Sequence, residues 1–493
     1  MPTDARVFYS VALGTPEQNG AWIVDVLAGV LGEPVRIAES ISYPIDRSPD
    51  GRWMVDDVTV GSRVWLRLMD RDAVPPVPAS VIDLDEAVDY PGIGRFRFAS
   101  GATAVAVGAG GSEGDDLYTL ALGDDGPGVP WQVDAELPDT THVDEFDYLP
   151  GDEQLVLVTH DEVTDTAAIV LAPARADAPA GFVPIVAALA DEGLGAPDAS
   201  SDGRLLAYRV VSDAAARGYV VDLDALPAAP VELVRPSEDV QLIDLQIAPD
   251  DSGVLYAVRV EMEPQDESWC YWSALEDGAL QPPIELTPDH AWVQSANAWS
   301  PDARWMALLA VGEPNTRLLV RLDDGVPSTP FELGPVVDSL GDPRRAFTSD
   351  GWYYYLTEMG SDQAFMRVDV TGDEPGTPQL VHAAGDILDY ELSADASTLV
   401  LASADTFAGA YQGFAIDLST TRPGAPVRFD EPMAADDWVY RVDVTPNGRG
   451  ITYERRPEAS GRYGHYVDLA TPGVALTLAE GLQISGIDVR ALP

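Results

Sequence analysis

The sequence predicts an all-β protein, a single closed β-propeller of about ten four-stranded blades. Three observations carry that expectation. One turn phrase recurs along the whole chain at a spacing of about 50 residues, in the range of repeat architectures. Each copy sits in the same succession of short apolar runs, with no helical period among them. The last residues read as a strand that the first unit lacks.

The phrase is a turn of the Ser-Pro-Asp-Gly type. It reads Ser48-Pro49-Asp50-Gly51-Arg52-Trp53, Ser201-Asp202-Gly203-Arg204-Leu205, Ala248-Pro249-Asp250 and Ser300-Pro301-Asp302-Ala303-Arg304-Trp305. It continues as Thr348-Ser349-Asp350-Gly351-Trp352, Ser393-Ala394-Asp395 and Thr445-Pro446-Asn447-Gly448-Arg449. Degenerate copies stand at Ser100-Gly101 and Pro150-Gly151-Asp152. Pro presets φ at the second turn position, Asp bonds back to the local backbone, and Gly accepts a left-handed conformation. The phrase is therefore a hairpin turn between a first and a second strand. Asp50, Asp202, Asp250, Asp302, Asp350 and Asp395 are expected to cap their own turns rather than to form a carboxylate cluster.

After the turn comes an apolar second strand, such as Leu205–Val210 or Trp305–Ala310. A third strand follows and often ends in Asp, as at Tyr219-Val220-Val221-Asp222. A Pro-rich loop then leads to a short fourth strand: Pro230-Val231-Glu232-Leu233, Pro283-Ile284-Glu285-Leu286 and Pro330-Phe331-Glu332-Leu333. A proline opening the fourth strand suits an edge, where a missing N–H costs least.

The Ser-Pro-Asp-Gly-Arg turn with its following apolar strand resembles the WD40-like (PD40) repeat of TolB-like propellers, and similar repeats occur in the propeller domains of prolyl oligopeptidases. The resemblance runs over essentially the whole chain. It implies the propeller fold, and an envelope or extracellular role.

The two ends imply how the ring closes. Residues 484–493 align with a first strand, and Thr3–Tyr9 with a turn and second strand, so the head lacks its first strand and the tail has one to spare. Pairing them removes two exposed edges. The resulting organisation is a composite blade of 1–42 plus 483–493, followed by blades at about 43–88, 89–140, 141–192, 193–238, 239–290, 291–337, 338–384, 385–434 and 435–482. The alternatives are two smaller propellers in tandem, or a tail strand that completes the blade of a neighbouring copy.

The formal net charge is −53, from 82 acidic residues against 29 basic ones, and the sequence contains no lysine. Such a chain repels phosphate backbones, which excludes nucleic-acid binding through a basic face and disfavours anionic membranes. No apolar run is long enough to span a bilayer, and no signal peptide is evident, so a soluble protein is expected. The single cysteine, Cys270, lies in Ser-Trp-Cys-Tyr-Trp, an apolar strand pattern that predicts a buried, inert thiol.

No metal or cofactor is expected. His142, His160, His290, His382 and His465 read as spread over different units without ligand spacing. Gly110-Gly111-Ser112-Glu113-Gly114 matches the nucleophile-elbow string, but that motif needs a following helix, and here it sits between two strands. The expected function is a non-enzymatic binding or scaffold propeller that presents a broad acidic face to a protein, glycan or cationic partner. Its anchors are large residues where the chain enters the first strands: Tyr90, His142, Trp292, Arg344, Arg345 and Trp438. Packing between blades is the competing explanation for them. The alternative function is a hydrolase or lyase acting on a polymer in the central channel, drawing on Arg95, Arg97, Asp147, Asp244, Asp389 and Arg441, among which no histidine pair is evident. A structural subunit of an extracellular assembly, joined by strand exchange, is a third.

The charge generates the first prediction. Self-repulsion falls as salt shortens the screening length from about 30 Å at 0.01 M to about 3 Å at 1 M. The thermal midpoint, followed by circular dichroism, is expected to rise steadily with NaCl over that range.

Overall fold

The computed structural model describes residues 5–13, 20–27, 30–38, 46–50, 52–60, 63–70, 78–82, 93–111, 114–124, 126–138, 140–175, 182–190, 193–212, 216–227, 229–235, 240–260, 267–276, 279–287, 293–311, 315–336, 346–406, 409–430, 437–445, 448–457, 463–469, 475–478 and 483–491. Among them the regular structure is β-strand, apart from one short 3₁₀ turn at Leu223–Ala225. The longer strands form successive antiparallel meanders in which each pairs with the next, and short segments flank them at the sheet edges. That is the blade architecture of a β-propeller.

The sheets run over 46–82, 93–132, 141–190, 193–232, 241–285, 293–335, 352–384, 386–428 and 437–477. The 93–132 and 141–190 sheets are joined by a single pair, Asp115 with Val143. The remaining sheet is composite: Ala5–Leu13 pairs on one side with Gly20–Leu27 and on the other with Gln483–Ala491, so that Val7 faces Val24 and Val489. The strand at the tail thus supplies the first strand that the head lacks. In the 352–384 sheet three strands are seen, with a bridge from Phe347 to Tyr353 marking the end of the first.

The chain divides into two compact units, 1–41 with 297–319 and 331–493, and 42–296 with 320–330. Within each unit the apolar clusters lie between consecutive sheets. One joins Trp53, Val55 and Leu68 to Phe96, Val105 and Leu120; another joins Tyr354, Leu356 and Phe365 to Leu399, Leu401 and Ile416. The tail strand's neighbourhood follows the same rule, with Val7, Val11 and Val24 packed on Tyr466 and Leu478. Second strands are covered on both faces, and Trp305–Ala310 is buried at every position. This is why they read as unbroken apolar runs rather than as alternations.

The recurrent turn is built on one backbone frame in most copies. Its first residue donates its backbone N–H to the carbonyl five residues on, as in Ser48 to Trp53 (3.0 Å), Ser200 to Leu205 (2.9 Å) and Ser300 to Trp305 (2.9 Å). Its hydroxyl completes the frame. Ser300 Oγ donates to Asp302 Oδ1 (2.6 Å) and accepts from Trp305 N (2.9 Å), while Arg304 N donates to the same carboxylate (3.2 Å). Ser48 with Asp50, Ser200 with Asp202, Thr348 with Asp350 and Ser393 with Asp395 repeat the hydroxyl–carboxylate bond. Each aspartate caps its own turn, as the sequence implied.

The fourth turn residue adopts positive φ whether or not it is glycine: Gly203, Gly351 and Gly448, but also Ala102, Asp152, Asp251, Ala303 and Ala396. The two aspartates here have a second use. Asp152 accepts from Ser100 N, Ser100 Oγ and Gly101 N, and Asp251 from Ser201 N and Ser201 Oγ, each tying its turn to that of the preceding sheet.

Two outcomes follow in chemical unfolding. Ser300→Ala leaves the buried Trp305 N–H unpaired and is expected to cost about 1–3 kcal/mol. Ala396→Gly relieves a left-handed alanine and is expected to gain about 0.5–1 kcal/mol.

Candidate functional site

First strands share a second feature that the sequence does not announce. Each one whose register with its second strand is fully defined carries an extra residue near its start. The skipped residues are Gly94, Asp144, Ile243, Leu388, Tyr440 and Ser485. A bulge turns a strand and frees backbone groups from the ladder. Arginines of the preceding sheet use two of the freed carbonyls: Arg95 donates to Asp144 O (2.6 Å), and Arg209 donates to Ile243 O.

The bulge brings charged residues on neighbouring first strands to equivalent levels. Arg95 pairs with Glu145, and Arg97 Nε lies 3.9 Å from Asp147 Oδ2. Asp389 Oδ2 accepts from Val442 N (3.0 Å); burial raises its carboxyl, opposed by that hydrogen bond and by the charge of Arg441. Asp198 accepts from Ile247 N (2.6 Å), and its carboxyl is raised first by burial and then by the charge of Asp244. Thus Arg95, Arg97, Asp147, Asp389 and Arg441, all expected sources of channel chemistry, are engaged between adjacent sheets.

Beside the bulge, at the end of the sheet where the first strand begins, two side-chain clusters stand out. In the unit containing 331–493, Trp438 is half-buried. It lies 5.8 Å from the Tyr411 ring and 6.4 Å from Tyr440, with the Arg456 guanidinium 5.5 Å over its ring. Val439 N donates to Tyr411 O (2.9 Å), and the Tyr411 hydroxyl donates to Asp386. Burial and this carboxylate keep the tyrosine protonated. Farther along the same end, His382 Nε2 is 3.0 Å from Ser403 Oγ, and burial lowers the imidazole's affinity for a proton. Ser403 is itself buried, so the pair has no access to a substrate carbonyl.

The second cluster lies in the other unit, in the 141–190 sheet. His142 and His160 are not in separate units, as the sequence suggested: they face each other across adjacent strands, rings parallel to within 3° and 5.4 Å apart. Spacing by 18 residues hid them, because only the hairpin register makes them neighbours. His142 Nε2 is 3.3 Å from Asp144 Oδ1 and its Nδ1 3.7 Å from Glu162 Oε1; His160 Nε2 is 3.3 Å from Asp165 Oδ1. Among the described residues no three such side chains converge on one point as they stand.

Of the six expected anchors, His142 and Trp438 are therefore placed, each in its own cluster. Tyr90, Trp292, Arg344 and Arg345 lie outside the described residues. Cys270 is fully buried, and burial pushes its thiol up to about 12, which leaves it inert. The Gly110–Gly114 string is a hairpin, with Gly111 paired to Gly114. No strand-to-helix elbow forms there. No helix of the described residues is long and apolar enough to cross a membrane.

No family model matches the chain, and no curated protein does. Solved structures do. A prolyl endopeptidase is 15% identical with a TM-score of 0.34, over 71% of this chain and 50% of that one, so the chain spans half its length. A eukaryotic initiation factor is 10% identical with a TM-score of 0.48, over 99% and 98%. TolB from Acinetobacter baumannii is 14% identical with a TM-score of 0.29, over 66% and 81%. The fold assignment stands on the sheets themselves.

A buried histidine yields a pH prediction. His465 is packed on the Tyr453 ring at 4.9 Å, and burial, helped by Arg455, lowers its pKa to about 4. The unfolded chain protonates it near 6.5, so between pH 6.5 and 4 the unfolded state holds the extra proton and stability falls as pH falls. Asp134, raised by burial to about 6, works in the opposite sense. The slope lost in His465→Gln relative to the parent is expected to reach about 1.4 kcal/mol per pH unit in that window, read from denaturant midpoints.

Proposed function

We propose that the chain is a non-enzymatic binding propeller. Its sheets are the ten blades of one ring with a TolB-like, PD40-type repeat, and it works outside the cytoplasm, in the periplasm or beyond the cell. Its partner is a polypeptide bearing cationic groups. The observation that carries this reading is the division of labour along the first strands. Arg95 pairs with Glu145 and Arg97 with Asp147 between neighbouring sheets, while the entry end keeps a half-buried aromatic–arginine group around Trp438. Tryptophan, tyrosine and arginine in one patch are the residue types that anchor interfaces. The charge of −53 steers basic segments toward the surface and away from nucleic acid. Pairing of Ala5–Leu13 with Gln483–Ala491 supports the single ring, since it joins head and tail in one sheet and gives Ala5–Leu13 a strand on each side.

An array of basic, neutral and acidic peptides and glycans, probed with the full chain, tests the reading. Binding is expected to concentrate on basic peptides, to weaken with salt, and to drop at least about ten-fold in Trp438→Ala, an effect of 1.4 kcal/mol or more. Binding indifferent to ligand charge and to Trp438, or turnover of an arrayed polymer, would overturn it. Light scattering of the same sample reports whether strand exchange makes it an assembly subunit instead.

A further inference from the structure

We propose that the face of the Trp438 ring is a guanidinium site, and that Arg456 fills it in cis until an arginine of a basic polypeptide displaces it. This rests on the reading above and adds the group that is recognised and the contact that competes with it.

Among the described residues three arginines lie over tryptophan rings, and two of them are locked in place. Arg52, 5.0 Å over Trp53, also donates to Asp70 (2.8 Å) and to Asp124 (2.9 Å). Arg367, 4.1 Å over Trp352, is fully buried and also donates to Leu418 O and Thr420 O. Arg456 differs. It is exposed, it lies 5.5 Å over Trp438, and no described group holds it by a hydrogen bond or an ion pair. The strand register puts it there, because Trp438 and Arg456 are direct cross-strand partners. A cation–π contact at an exposed site is weak, so this one stack can open while the other two stay shut.

The surroundings favour a cation on that ring. Tyr411 and Tyr440 flank the indole at 5.8 Å and 6.4 Å, the second edge-on at 70°. Ring faces carry the negative part of the aromatic quadrupole. Behind Tyr411 stands buried Asp386, which accepts the phenol's hydrogen bond and so polarises that ring toward greater electron density. A planar, weakly hydrated guanidinium stacks on such a surface better than a compact ammonium does. On leaving, Arg456 gives up the ring contact alone, and an incoming arginine restores it. The charge of −53 supplies the long-range attraction that brings basic segments to the site.

The test is the calorimetric affinity of one arginine-bearing basic peptide for the full chain and its variants. Arg456→Ala is expected to bind about two- to five-fold more tightly, the competing stack being gone. That gain is expected to vanish when Trp438→Ala is present in both chains, and to exceed the gain in Arg449→Ala, which removes an exposed positive charge from the turn end of the same sheet. Lysine in place of the peptide's arginines is expected to weaken binding. Weaker binding in Arg456→Ala would make Arg456 a contact for a partner carboxylate. That result, an unchanged affinity, an equal gain in Arg449→Ala or in the Trp438→Ala background, or indifference to lysine would overturn this proposal and leave Trp438-dependent binding of basic peptides standing. A chain that binds no basic peptide overturns both.

Discussion

A hydroxyl and a carboxylate two residues apart set the geometry on which this molecule depends. Where Ser or Thr opens the turn with Asp two residues on, at Ser48, Ser200, Ser300, Thr348 and Ser393, its hydroxyl donates to the Asp and receives the N–H of the first residue of the second strand. That closes the hairpin at one register. A slip of one residue would send the apolar set of the second strand to the opposite faces. Because second strands are buried on both sides, each sheet's place against its neighbours is fixed with that register. The same small frame therefore determines both the sheet and its stacking.

Contacts between consecutive sheets are layered by level. At the turn, Asp152 and Asp251 cap the preceding turn. In the middle, apolar side chains interdigitate. Beyond the first-strand bulge, Arg95 and Arg97 meet Glu145 and Asp147. Arg367 shows the same economy toward the outside: fully buried, it lies 4.1 Å over the Trp352 ring and donates to Leu418 O and Thr420 O of the next sheet. A chain with so large an acid excess spends arginines where they satisfy carbonyls and carboxylates across a boundary, and leaves its surplus of negative charge elsewhere.

Much of this was legible in the residue string, for a physical reason. The turn phrase is local, so Ser48-Pro49-Asp50 or Ser300-Pro301-Asp302 announces its own hydrogen bonds. The buried thiol of Cys270 was legible too, from the apolar strand around it. What lay hidden depends on pairing across distance. The bulges at Asp144, Ile243, Leu388 and Tyr440 have no common residue type, because an extra residue in a ladder is defined by its partner strand. The contact of His142 with His160 is of the same kind. Where Asp152 and Asp251 stand at the fourth turn position in place of glycine, the carboxylate reaches the neighbouring turn, and the cost of the left-handed backbone is offset there by several hydrogen bonds.

The account stands or falls on the tail strand completing the sheet begun at the head. Hydrogen exchange, resolved by peptide, measures this in the full chain and in a chain ending before Gln483. The account predicts slow exchange of Ala5–Leu13 in the full chain and its loss on truncation, while Thr398–Ala404 stays protected in both. Fast exchange of Ala5–Leu13 in the full chain, or protection that survives removal of the last strand, would contradict it.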